Sequence, residues 1–108
     1  MSGWLPKRGE IWDADIAVVG VHSAVVLSAA GLNERLGHLT VVPITGTRGP
    51  AVTHVRLDKA GLTGSQPSYA DATYLRQVKK EQFIERRGLC SEEEMYRIES
   101  LVRVYLGL

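Results

Sequence analysis

Residues 22–28 read His-Ser-Ala-Val-Val-Leu-Ser and contain a short, valine-rich apolar run. The run is too short for an isolated helix and is typical of a strand that is buried on both faces. Two further blocks frame it along the chain: Arg-Gly-Glu-Ile-Trp at residues 8–12 and Val-Val-Pro-Ile-Thr at residues 41–45. We therefore expect a mainly β chain built around these three segments.

Strands are also predicted over four flanking segments: residues 9–16, 39–45, 53–58 and 68–78. Apolar residues alternate with aspartates in the first of these, which is the period of a half-buried strand. Pro43 lacks an amide donor and predicts a sheet edge or a bulge in the third strand. Residues 29–37 predict a connecting loop, with a helical turn as an alternative, and residues 59–67 predict a loop.

A helix is predicted at the C-terminus. Ser91 followed three residues later by Glu94 is a capping-box pattern, and acidic residues fill the first turn, where the helix dipole favours negative charge. The residues at helical spacing beyond it are apolar: Met95, Ile98, Leu101, Val102 and Tyr105. Strands followed by one amphipathic helix predict a small, barrel-like sheet with the helix covering one open face.

Composition limits the classes of protein to consider. The 108 residues predict a single domain over 1–108, and 44% hydrophobic with 23% charged residues is ordinary for a globular protein. The lone Cys90 cannot form an internal disulfide, which predicts a cytoplasmic location. No apolar run is long enough to span a membrane, and the N-terminal residues lack a signal-peptide pattern. No zinc-type cysteine pair or phosphate-binding loop is present, so no cofactor is predicted.

Five blocks together resemble the MazF/PemK family of toxin endoribonucleases. They are Arg-Gly-Glu-Ile-Trp at 8–12, Ala-Val-Val-Leu-Ser at 24–28, Val-Pro-Ile-Thr at 42–45, Tyr-Leu-Arg-Gln-Val at 74–78 and the terminal helix. The resemblance covers nearly the whole chain. It implies an SH3-like barrel or twisted antiparallel sheet of five to six strands with a C-terminal amphipathic helix.

The resemblance also implies a function. Members of the family are homodimeric and cut single-stranded RNA without a metal: the 2'-hydroxyl attacks the neighbouring phosphate and leaves a 2',3'-cyclic phosphate. A cognate antitoxin suppresses them by laying its tail across the RNA groove. The implied partners are therefore single-stranded RNA, an antitoxin and a second copy of the chain, with no membrane.

The chain departs from the family pattern at three places. His22-Ser23 replaces an Arg-Pro pair whose arginine contacts the scissile phosphate. The loop between the first two strands is shortened to residues 17–21, so the RNA and antitoxin preferences stay open. Some members carry an acidic residue where an ungapped match places Thr73, and Asp71 lies two residues earlier.

Four residues are candidates for catalysis: Thr45, His22, Asp71 and Arg48. Histidine serves as acid or base near neutral pH, although His22 cannot reproduce the two-pronged grip of arginine. The Thr45 hydroxyl would bond a phosphate oxygen, and Arg48 would reach over the phosphate from a glycine-flanked loop. Asp71 would act as a base or orient His22.

Six further residues are candidates for substrate binding: Tyr69, Thr73, Arg56, His54, Thr47 and Ser23. Tyr69 would stack on a base, although a core tyrosine fits the sequence equally well. His54 and Arg56 share the outward face of their strand and would hold backbone phosphates, although a solvated strand face explains them equally well.

Two alternative functions remain open at this point. One is a non-enzymatic toxin resembling CcdB, which shares the fold and poisons DNA gyrase. The other is a degenerate family member that folds, dimerises and binds an antitoxin-like partner but cuts nothing. The missing arginine favours the second alternative, whereas the Val-Pro-Ile-Thr block favours cleavage.

Overall fold

The described part of the chain forms an antiparallel sheet with two helices. The computed structural model describes residues 5–58, 62 and 67–108. The strands are β1 (Glu10–Ile16), β2 (Gly20–Val26), β3 (His38–Thr45), β4 (His54–Arg56), β5 (Tyr69–Asp71), β6 (Arg76–Lys79) and β7 (Phe83–Leu89). The helices are α1 (Ala30–Asn33) and α2 (Glu92–Leu106), and a 3₁₀ turn, Lys80–Gln82, precedes β7. The N-terminal four residues and most of the predicted loop 59–67 lie outside the described residues.

The strands pair in the order β4-β5-β3-β2-β1-β7, and β6 adds to the free part of β3. This arrangement confirms the predicted mainly β fold with a C-terminal helix. Among the described residues β4 and β7 are the two ends of the path, so the sheet does not close into a complete barrel.

Both faces of the central strands are buried. Val25, Val42 and Ile98 belong to one core cluster, which lies between the sheet and α2. Ala24, Val26 and Val41 belong to a second cluster on the opposite side, where Leu39 and Phe83 also pack. Because neighbouring residues of a strand point to opposite faces, burial on both sides requires a continuous apolar run. This explains the valine-rich segment in β2.

The predicted C-terminal helix is confirmed together with its cap. The Glu94 amide donates to Ser91 Oγ over 3.1 Å, and the Ser91 amide donates to Glu94 Oε1 over 2.8 Å. Gly107 ends the helix in the left-handed conformation, with φ of 73°. The predicted apolar stripe packs on the core except at its end, where Tyr105 is exposed. Neither described helix has the length and apolarity of a membrane-spanning segment.

The predicted strand 68–78 is wrong as a single element, because a turn divides it into β5 and β6. The Thr73 amide and hydroxyl both donate to Asp71 Oδ1, over 3.0 and 2.7 Å. An aspartate that accepts a bond from the backbone two residues ahead stabilises a turn. The chain therefore reverses between two pieces of strand that pair with different parts of β3.

Two other details differ from the sequence predictions. β7 was not predicted because only Phe83 of its seven residues is buried, so it has no apolar periodicity. Pro43 does not lie on an edge strand, since β3 pairs with β2 there. On the other side of β3, pairing with β6 ends at Val41 and pairing with β5 begins at Ile44. The missing amide of Pro43 therefore faces a gap between two neighbouring strands.

Candidate active site

One face of the sheet collects most of the predicted functional residues, and strand register explains why. His54 lies opposite Asp71, and Thr45 lies opposite Tyr69. Ala24 lies opposite Pro43, so His22 and Thr45, two residues further along each strand, share that face too. Cross-strand partners project to the same side of a sheet. This is the side opposite α2.

A cleft of about 330 Å³ opens on this face, where β2, β3, β4 and β5 end. Six of the predicted residues line it: His22, Thr45, Thr47, Arg48, His54 and Asp71. Ser23, Tyr69, Arg56 and Thr73 do not line it. The four residues proposed for catalysis from the sequence therefore lie around one concave surface, although they come from separate parts of the chain.

Thr45 stands at the end of β3 with its hydroxyl oriented by the following loop. The Thr47 amide donates to Thr45 Oγ1 over 3.1 Å. This bond occupies a lone pair of the oxygen and leaves the hydroxyl proton available to a ligand. A phosphate oxygen in the cleft is an acceptor that this donor could bind.

Two nitrogen-bearing side chains reach the cleft from its sides. His22 lies near the start of β2 and is exposed, and Arg48 is exposed in the loop between β3 and β4. The shortened β1–β2 connection is a tight turn in which Val18 has φ of 72°, an unusual conformation for a β-branched residue. Val19, the next residue, forms part of the cleft wall.

His54 and Asp71 form a second polar group at the opposite side of the cleft. His54 Nδ1 lies 2.7 Å from Thr53 Oγ1, and His54 Nε2 lies 3.8 Å from Asp71 Oδ2. Their side chains are only 15% and 27% exposed, respectively. His54 and Arg56 do share one face of β4, as predicted, but His54 is largely enclosed by its neighbours whereas Arg56 is exposed.

The four predicted residues outside the cleft are accounted for by their contacts. Ser23 lies on the other face of β2 from His22, and its hydroxyl donates to Asp13 over 2.6 Å. Tyr69 is 9% exposed, so it belongs to the core and offers no free ring face. Arg56 is exposed and pairs with Asp58 over 2.6 Å. Thr73 bonds Asp71 and so acts on the cleft through that carboxylate.

Five of the residues that line the cleft were not predicted as site residues, and Tyr74 and Gly49 are the two of them with notable ring contacts. Tyr74 lies in the turn before β6, and the Arg76 guanidinium covers its ring at 3.8 Å from the centroid. Gly49 lies beside the His54 ring, and a Cβ on it would come within 2.2 Å of that ring. Neither contact has a sequence signal, because each depends on which turn conformation the loop adopts.

The one cysteine of the chain lies in the core, away from the cleft. Burial and the nearby charge of Glu94 raise the pKa of the Cys90 thiol to about 12, so this buried thiol is unreactive at neutral pH. No group of three or more histidine, cysteine or acidic side chains is placed to hold a metal within the described part of the chain.

A family comparison agrees with this geometry. Residues 7–106 match the profile of the PemK-like, MazF-like toxins of type II toxin–antitoxin systems. The chain belongs to this family. It is thus a toxin component, and the match includes the seven strands described above and the whole of α2. No protein of curated function matches the sequence of this toxin.

Solved structures of similar fold include two mycobacterial proteins and one from Deinococcus radiodurans. An endoribonuclease in complex with its cognate antitoxin, from a mycobacterial species, has a TM-score of 0.84 and 24% identity, over 95% of this chain and 96% of that chain. A mycobacterial endoribonuclease has a TM-score of 0.83 and 23% identity, over 96% and 93%. MazF from Deinococcus radiodurans has a TM-score of 0.82 and 20% identity, over 97% and 99%. At these identities the likeness establishes the fold of the toxin.

Proposed function

We propose that this toxin is a metal-independent endoribonuclease that cleaves single-stranded RNA in the cytoplasm by attack of the 2'-hydroxyl on the adjacent phosphate. The observation that carries the proposal is the convergence of Thr45, His22, Arg48 and Asp71 on one cleft. Family membership and the endoribonuclease activity named for proteins of the same fold support it.

Each requirement of the reaction has a candidate group in the cleft. Charge develops on the phosphoryl oxygens during attack, and the Thr45 hydroxyl and the Arg48 guanidinium are donors placed to stabilise it. Proton transfer needs groups that exchange protons near neutral pH, and His22 is exposed to a substrate there. Arg48 supplies a permanent positive charge that the imidazole at position 22 does not provide.

The proposed partners follow from family membership. Type II toxins act with an antitoxin, and we propose that a cognate antitoxin covers this cleft and that the toxin is a homodimer. Apolar residues exposed along α2, among them Tyr96 and Val104, support a protein interface on that helix. The molar mass in solution, measured by light scattering, should be twice the 11.9 kDa of the chain.

The cleavage assay uses purified toxin, a mixed-sequence RNA and an excess of chelator. We expect fragments with 2',3'-cyclic phosphate and 5'-hydroxyl ends. An RNA of the same sequence that carries a 2'-deoxyribose at the cut position should stay intact, because it lacks the attacking hydroxyl.

Two other results would each contradict the proposal. Intact RNA together with gyrase trapped on DNA would assign the toxin to the gyrase-poisoning class. Intact RNA with no effect on gyrase, but with antitoxin binding retained, would make it a non-catalytic member of the family.

A further inference from the structure

The two histidines of the cleft are held to very different degrees. The His22 ring is exposed and makes no hydrogen bond within the described part of the chain. The His54 ring contacts Thr53 and Asp71 and packs against Gly49. Proton transfer benefits from a group fixed within hydrogen-bond reach of the reacting atom. By that criterion, His54 is better suited to proton transfer than His22, because its ring is held in place by contacts.

The contacts of Thr53 favour one tautomer of His54. The Thr53 hydroxyl donates to the Pro50 carbonyl over 3.2 Å. With that proton directed to Pro50, Thr53 Oγ1 is the acceptor for a proton on His54 Nδ1, which lies 2.7 Å away. In a neutral imidazole with a proton on Nδ1, the lone pair is on Nε2. In this tautomer, Nε2 is the basic nitrogen of His54.

Asp71 lies where it would stabilise the protonated form of that ring. Its Oδ1 accepts both bonds from Thr73, which fixes the carboxylate, and its Oδ2 is 3.8 Å from His54 Nε2. This separation is too long for a hydrogen bond, so Nε2 stays available to a substrate hydroxyl. It is short enough for the carboxylate to attract an imidazolium.

Gly49 packs directly against the His54 ring. A Cβ at this position would lie 2.2 Å from Cε1 and 2.5 Å from Nε2 of His54. Any larger residue would push the ring away from Thr53 and Asp71. The β3–β4 loop that carries Arg48 therefore also fixes the position of His54.

Strand order places the two histidines on opposite sides of the phosphate that Thr45 would bind. β3 ends in Thr45 and pairs with β2, which carries His22, along one edge. Along its other edge β3 pairs with β5, and β5 pairs in turn with β4, which carries His54. In-line displacement at phosphorus requires the attacking and leaving oxygens on opposite sides. A base at His54 and an acid at His22 satisfy this requirement.

We propose that His54 is a catalytic residue of the toxin, whose Nε2 takes the proton from the attacking 2'-hydroxyl. This inference rests on the proposed ribonuclease function. As the 2'-oxygen bonds to phosphorus, its proton passes to His54 Nε2. As the bond from phosphorus to the 5'-oxygen breaks, that oxygen takes a proton from the His22 imidazolium. Exchange with water then returns each ring to its starting state. Thr53, Asp71 and Gly49 are positioning residues for His54.

The test compares His54→Gln with His22→Gln on two substrates. One is an ordinary RNA, and the other carries sulfur in place of the 5'-oxygen at the cut position. A departing thiolate needs no proton, so the sulfur substrate removes the need for an acid but keeps the need for a base. We expect both variants to cut ordinary RNA at least about 100-fold more slowly than wild type. Only His22→Gln should regain a rate near wild type on the sulfur substrate.

Three outcomes of this comparison would overturn the inference, and they are distinguishable. If wild type cuts neither substrate, the proposed function fails and the inference fails with it. If wild type cuts RNA and His54→Gln does so at the same rate, only the assignment of His54 fails. If the sulfur substrate restores His54→Gln, the residue is the acid and the assigned role is wrong.

A second test substitutes two glycines of the β3–β4 loop, one at a time, and does not replace His54 itself. Gly49→Ala should lower kcat at least about tenfold with little change in KM, because it displaces the base without removing a phosphate contact. Gly46→Ala in the same loop is the control, since its added Cβ would be 3.9 Å from the nearest atom, the Pro67 carbonyl oxygen. Equal kcat values for the two variants would contradict the positioning of His54 by Gly49. Thermal unfolding and affinity for a 2'-O-methyl RNA verify that every variant is folded.

Discussion

The two faces of the sheet differ at the strand ends: one face is covered by the core there, and the other carries a polar cleft. On the face under α2, Val25, Val42 and Ile98 are fully buried, and the core continues out to Val55 and Ala70 on β4 and β5. On the other face, the core of β2 and β3 gives way at the strand ends to polar side chains around a cleft. Side chains alternate between the two faces along each strand. How far a residue lies from the end of its strand then determines whether its side chain is buried or accessible to a ligand. The covered face therefore supplies stability and the open face supplies chemistry.

The largest expected effect comes from opening a cavity on the covered face. Ile98→Ala should lower the free energy of unfolding by about 2–5 kcal/mol, because the side chain is completely buried. Arg97→Ala on the same helix is the control, since its side chain is exposed and should change stability by less than about 0.5 kcal/mol. Urea unfolding measures both. Equal losses would show that α2 does not seal this face.

A substitution on the open face should reduce activity and leave stability nearly unchanged. Thr45→Ala should slow RNA cleavage by about 100-fold or more, since it removes a donor aimed at the phosphate, and should leave the melting temperature nearly unchanged. Thr45→Ser keeps the hydroxyl and should retain most of the activity. Cleavage at the wild-type rate in Thr45→Ala would place the reacting phosphate elsewhere.

The helix cap is expected to have a smaller effect on stability. Ser91→Ala removes the acceptor of the Glu94 amide and should cost about 1 kcal/mol. Ser91→Asp, another good N-cap, should restore most of this loss. Cleavage rates at temperatures well below unfolding should be equal in all three proteins, and a reduced rate in Ser91→Ala would argue that α2 affects the cleft.

The smallest expected effect concerns pH. Burial alone would raise the pKa of Glu10, but hydrogen bonds from Trp12, the Lys7 amide and Arg86, together with the charge of Arg86, outweigh it and lower the pKa below its usual range. A lowered carboxyl pKa contributes stability above its ordinary value, and this is lost as pH falls through the folded-state pKa. Between about pH 5 and pH 3, wild type should therefore lose more stability than Glu10→Gln.

The control for this pH dependence is Glu34→Gln, whose side chain is exposed. Denaturant unfolding at each pH measures the three proteins. If wild type and Glu10→Gln lose stability in parallel, the hydrogen bonds to Glu10 do not favour its ionised form.

Elements with a strong local signal were predicted well. The valine run at β2 and the capping box at α2 depend on residues close together in sequence, and both are confirmed. β7 had no such signal, since six of its residues are not buried. The turn between β5 and β6 depends on the bonds from Thr73 to Asp71, which the apolar pattern does not encode.

The candidate site was predicted only in part. Thr45, His22, Arg48 and Asp71 were named from motif positions, and they stay predictions as catalytic residues. Ser23, predicted as a substrate-binding residue, lies on the other face of β2 from His22 because side chains alternate along a strand. Tyr69 was open between two interpretations, and its burial assigns it to the core.

The sequence by itself determined the class of fold, the position of the terminal helix and the family. These follow from apolar periodicity, capping residues and motif order, which are local properties of the chain. Only the tertiary structure decided that His54 lies between Thr53, Asp71 and Gly49, because strand register and loop conformation bring these residues together. Contacts between side chains far apart in sequence depend on how the strands pair, and the local sequence of one segment does not specify that pairing.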